Sequence, residues 1–79
     1  MVATAGQQKS LSTAAPGQPG VVERFLNNQV GSKLMSMGVL PGSHVEVVRK
    51  APFGGGCYVK VDNFYLALRR EEAASVVLK

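Results

Sequence analysis

Three segments in the second half of this 79-residue chain alternate apolar and polar side chains with a period of two, and that alternation limits the architecture most. Val45 and Val47 flank Glu46. Cys57, Val59 and Val61 alternate with Tyr58 and Lys60, and Phe64, Leu66 and Leu68 alternate with Tyr65 and Ala67. A strand sends successive side chains to opposite faces, so each segment carries one apolar face. The three faces must meet, because a slip of one residue would turn a whole apolar set into water. Opposing Val45 with Val61 sets Val47 against Val59 and Arg49 against Cys57. The same register puts Glu46 against Lys60 and His44 against Asp62 on the outer face. Asp62-Asn63 reads as a two-residue hairpin turn, with Asn63 at positive φ. It opposes Val61 with Phe64, Val59 with Leu66 and Cys57 with Leu68, so the same inner face follows from the turn as from the pairing. On the outer face Tyr58 falls beside Val48 and Ala67, and Lys60 beside Tyr65.

The rest of the chain supplies closing elements. Residues 1–10 are small and polar without periodicity and are read as a disordered tail. Pro16-Gly17-Gln18-Pro19-Gly20 is a turn cluster, followed by a first strand over residues 21–26. Residues 30–37 carry the one helical signal, with Val30, Leu34 and Met37 on one face and Ser32 as N-cap. Gly38 fits a left-handed helix stop that brings Val39 onto Leu34, and Pro41-Gly42 fits a type II turn. Pro52-Phe53-Gly54-Gly55-Gly56 is a hairpin tip, residues 70–74 form one helical turn, and residues 76–78 form a last short strand. The expected fold is all-β: a small SH3-like five-stranded barrel with one short helix, built from residues 11–79.

A chain this short buries only about 60% of its unfolded surface and has a small stability margin, about 3–5 kcal/mol. Its single cysteine excludes an internal disulfide. No segment has the length and apolarity of a membrane span, and the first thirty residues do not read as a signal peptide, so a cytoplasmic location is expected. The net charge of +4 is spread without a basic run longer than two residues, which fits solubility better than a nucleic-acid stripe.

Little in the sequence points to catalysis. Glu23, Glu46, Asp62, Glu71 and Glu72 are scattered, and the single histidine has no nucleophile at a suggestive spacing, so the chain is not expected to be an enzyme. Gly54-Gly55-Gly56 precedes a strand rather than the helix that a phosphate loop needs. His44 and Glu46 share a face and are weak candidates for Fe²⁺ or Zn²⁺, whereas Cys57 points inward, so no resident cofactor is expected. The better candidates are surfaces for a partner: Phe53 on the loop; Val48, Tyr58 and Tyr65 edged by Lys60; and Met35 with Leu40.

Residues 34–43, Leu-Met-Ser-Met-Gly-Val-Leu-Pro-Gly-Ser, resemble the Leu-x-x-x-Gly-apolar-x-Pro-Gly segment of the ferrous iron transport protein A family. Pro52-Phe53-Gly54-Gly55 is similar to its Pro-x-Gly-Gly hairpin, and residues 66–73 are similar to its Ala-Leu-Arg-x-x-Glu-Ala ending. Leu11 through Gly20 fits its opening. The resemblance implies an SH3-like barrel acting as a cytosolic accessory protein of bacterial ferrous iron uptake. Its implied partner is the membrane permease that carries a GTP-binding domain, with the membrane reached only through that permease. Two alternatives are a small basic barrel stacking nucleic acid on its aromatics, and a weak transition-metal-sensing module.

Overall fold

A computed structural model describes residues 9–79. Strands β1 (Lys9–Ser10), β2 (Pro19–Phe25), β3 (His44–Lys50), β4 (Cys57–Val61), β5 (Phe64–Leu68) and β6 (Val76–Leu78) form one antiparallel sheet in the order β1-β6-β2-β3-β4-β5. Helix α1 (Asn28–Ser36) follows β2, and helix α2 (Arg70–Ser75) lies between β5 and β6. The fold is the expected small β-barrel, with six strands rather than five. The extra strand falls where a disordered tail was expected: Lys9 and Ser10 pair with Leu78 and Val77. Residues 1–8 of that tail lie outside the described residues.

The barrel is made by bending β2. Its first part, Pro19 to Val21, pairs with β3, and its second part, Val22 to Phe25, pairs with β6 with a register shift between Val22 and Arg24. One strand therefore serves two halves of the sheet, and their inner faces close on each other. Val22, Leu34, Val39, Val47, Val59, Val61 and Val76 are wholly buried there. Leu11, in a 3-10 turn over Leu11–Thr13, and Ala73 of α2 close one end. β1 and β5 do not pair, which leaves an open seam between them.

The deduced register holds from Val45–Val61 through Val47–Val59 and across the whole β4–β5 hairpin. It fails by one residue at the end of β3. A bulge opposes Val48 and Arg49 to Tyr58, so Lys50 rather than Arg49 faces Cys57. The slip places Lys50 on the inward side at the barrel's mouth. Its ammonium escapes by donating to the Ser12 carbonyl at 3.2 Å. At the Asp62-Asn63 turn the positive φ falls on Asp62, at 48°, and not on Asn63. Asp62 is held by two bonds to His44: its N–H donates to the His44 carbonyl, and its carboxylate accepts from the His44 N–H.

Helix α1 starts earlier than expected. Asn27, not Ser32, is its N-cap, accepting from the N–H groups of Gln29 and Val30. Its inner face is Val30, Gly31 and Leu34, with Met37 turned to solvent. The helix ends as expected: Gly38 takes φ 100°, its N–H donates to Met35, and the Val39 N–H donates to Leu34.

The two helices are tied by one buried carboxylate. Glu72 is 6% exposed and accepts 2.6 Å from Lys33 Nζ on α1 and 2.8 Å from the Arg69 N–H at the start of its own helix. The Lys33 hydrogen bond first, and then the Arg69 N–H, hold its carboxyl below the ordinary value near 4.5. A depressed carboxylate contributes stability above the unfolded pKa and loses it as pH falls toward the folded one. Glu72→Gln is expected to destabilise the domain by about 1–2 kcal/mol at neutral pH, the lower part of the range for charged hydrogen bonds because Lys33 is half in water. Urea unfolding of both proteins at neutral pH and at about pH 3 checks this. The gap should shrink in acid; an equal gap at both would rule out the charge.

Candidate functional site

The alternation that buries Cys57, Val59 and Val61 turns Tyr58 and Lys60 outward. On β5 it turns Tyr65 and Ala67 to the same outer face. Tyr58 faces Ala67 and Lys60 faces Tyr65, so the tyrosines are diagonal neighbours. Their rings stack at a centroid distance of 5.8 Å with planes 10° apart. They remain 41% and 53% exposed, so no strand of the barrel covers them. The bulge sets Val48 and Arg49 beside Tyr58, which adds a cation that the sequence register had placed inside. The result is a flat aromatic patch with Val48 on one flank and Arg49 and Lys60 at its edges.

The other partner candidates lie on different elements. Met35 and Leu40, both exposed, come from α1 and the turn that follows it. That helix packs on β2 and α2, and its terminal Gly38 approaches the Phe64 ring at the start of β5. Phe53 sits at the opposite end of the β4–β5 hairpin, on the tip between β3 and β4. The structure therefore brings Val48, Tyr58, Lys60 and Tyr65 together and leaves Met35 with Leu40, and Phe53, as separate places.

His44 and Glu46 are on the outer face near Asp62, with His44 Nδ1 3.7 Å from Asp62 Oδ1. Glu46 is set opposite Lys60 across the strands. Among the described residues, no three histidines, cysteines or carboxylates converge as a metal cage would require. Cys57 is buried on the inner face. Burial pushes its thiol up, against a smaller downward pull from Lys50, which disfavours the thiolate that a metal or an electrophile would need.

The family model of the FeoA domain matches residues 9–79. The chain belongs to the FeoA family. That family is tied to ferrous iron transport. The FeoA match begins at Lys9, where β1 begins, two residues before the expected boundary. The solution structure of iron(II) transport protein A from Clostridium thermocellum superposes with a TM-score of 0.80 at 32% identity, over 90% of this chain and 44% of that one. This FeoA chain thus spans less than half of that protein. The FeoA of Stenotrophomonas maltophilia, determined with zinc and described as a prokaryotic SH3 domain protein, superposes with a TM-score of 0.74 at 32% identity. That match covers 90% of this chain and 89% of the other. A manganese-dependent transcriptional repressor shares the fold, with a TM-score of 0.79 at 22% identity over 89% of this chain and 40% of its own.

Two residues that matter were not singled out from the sequence. Arg49 was misplaced by one position because a bulge leaves no mark in apolar alternation. Glu72 was counted only among the scattered carboxylates; its place at the third helical position, where a carboxylate can reach back to the N-cap N–H, was the available signal.

Proposed function

We propose that this FeoA protein is a non-enzymatic accessory factor of ferrous iron uptake. It acts in the cytoplasm by docking on the cytosolic region of the GTP-binding iron permease. The observation that carries the docking face is the exposed Tyr58–Tyr65 stack, bordered by Val48, Arg49 and Lys60. Stacked tyrosines offer a rigid apolar area with few rotamers to freeze, and arginine at the edge suits an interface. The Stenotrophomonas FeoA, which is put forward as a ferrous iron transport activating factor, supports the direction of this reading. On this reading the protein works without a resident cofactor, any Fe²⁺ or Zn²⁺ at His44 and Glu46 being held weakly, and nucleic acid is not its partner.

The test is a titration of the permease's cytosolic domain onto isotope-labelled protein. Backbone shifts should concentrate on β4, β5 and the end of β3. Tyr65→Ala and Tyr58→Ala should each weaken binding tenfold or more, about 1.4 kcal/mol, the scale of an interface anchor. Both side chains are half in water, so the fold should survive. Unchanged affinity in both variants would remove this face from the reading, and shifts confined to α1 would move it to Met35 and Leu40.

A further inference from the structure

Four of the chain's nine lysines and arginines gather at one end of the barrel, around a single bare aromatic ring. Arg49 and Lys50 end β3, and Arg69 and Arg70 leave β5. The ladder sets Lys50 against Cys57 and Cys57 against Leu68, which brings both strand ends to the base of the loop over residues 51–56. Arg69 Cα lies 3.3 Å from where a Gly56 Cβ would stand, and Arg70 Nη1 lies 3.8 Å from the same point on Gly54. The ion pairs among the described residues are Arg24–Glu23, Lys33–Glu72 and His44–Asp62, so none of these four cations is held in a salt bridge, although Arg69 stands near enough to Glu72 to act on its charge. Glu71 is the one carboxylate at this end that is not already engaged.

Phe53, on the tip of that loop, is 104% exposed and holds φ 60°. A phenylalanine there is unfavourable twice, once for its apolar surface in water and once for its left-handed backbone. Among the described residues, nothing packs on the ring to compensate for either.

We propose that this end of the barrel docks directly on an anionic lipid surface, with Phe53 as the inserted wedge and Arg49, Lys50, Arg69 and Arg70 as a cationic collar. One aromatic ring on a convex tip suits a fluid interface, which closes around it; a protein partner would need a matching pocket. The collar matches the negative charge of the headgroups, and each cation near such a surface raises affinity about fivefold. Neither signal anchors a protein alone, and the two together give reversible attachment. The Tyr58–Tyr65 stack stays free for a protein, and Arg49 lies at the border shared by the two surfaces.

The protein has no tryptophan, so Phe53→Trp places a single fluorescent reporter on the loop. Its emission should shift to the blue on phosphatidylcholine vesicles containing about one-third phosphatidylglycerol. Brominated acyl chains should quench it, and salt should reverse the effect. Phe53→Asn should lower partitioning about tenfold without lowering Tm, because asparagine tolerates positive φ. Arg49→Gln combined with Arg70→Gln should lower it about 25-fold. No blue shift, equal binding to uncharged vesicles, or full binding by Phe53→Asn would each overturn the proposal. So would salt-sensitive binding to single-stranded nucleic acid without binding to vesicles. No permease is present in this assay, so its failure is distinct from failure of the docking titration.

Discussion

Gly56→Ala is expected to leave most of the protein unfolded at room temperature. Gly56 joins the Phe53 loop to β4 with φ 112°, and a Cβ there would stand 2.3 Å from the Leu68 carbonyl oxygen. That oxygen belongs to the backbone of β5 and cannot swing aside as a side chain would. Relief requires parting β4 from β5 where Cys57 faces Leu68. Backbone strain costs about 1–3 kcal/mol and the forced displacement about as much again. The sum reaches the whole margin of about 3–5 kcal/mol available to a domain of this size. Gly42→Ala is the control. Gly42 also has positive φ, at 94°, but a Cβ there meets nothing within 4 Å. It should cost only the strain and shift Tm by several degrees. Thermal melts followed by circular dichroism compare the two, and equal losses would show that the contact with Leu68 is not the cause.

Leu34→Ala is the second large effect, expected at about 3 kcal/mol within a range of 2–5. Leu34 is 0% exposed, and its carbonyl accepts the Val39 N–H that stops α1. It is the main apolar side chain that α1 sends into the core, so its loss opens a cavity and loosens the helix together. A helix of nine residues has little stability of its own and depends on this packing. Met35, one residue on and turned to water, gives the contrast: Met35→Ala should stay within about 0.5 kcal/mol. Urea midpoints of the two variants decide it. Equal shifts would mean that the helix is not held by its inner face.

The barrel was largely legible in the sequence because burial on one face leaves a period-two record. Val45, Val47, Cys57, Val59, Val61 and Leu68 all proved buried, and the β4–β5 register was recovered without error. What escaped was set by geometry that alternation does not encode. The bulge at Val48 changes which residue faces Tyr58 while keeping every valine inside. β1 is two residues long, with Lys9 exposed, too short and too polar to show a pattern, and it exists because the edge of β6 is there to receive it. The start of α1 lies before the helical signal of residues 30–37 because Asn27 and Asn28 add nothing to the apolar periodicity, although an asparagine is a good N-cap. The outward position of Tyr58 and Tyr65 followed from the alternation. Their mutual stacking and their exposure did not, since both depend on which strands stop short of covering them.

The bend in β2 has a consequence for how this molecule comes into being. Val22 to Phe25 find partners in β6, more than fifty positions further along, and β6 also receives Lys9 and Ser10. The meander β3–β4–β5 can pair as it emerges from the ribosome, because its contacts are close in sequence. The second part of β2 must wait, its apolar side uncovered, until Val76–Leu78 has emerged. Closure is thus the late, slow step, and the nascent domain is most exposed to misassembly just before it finishes.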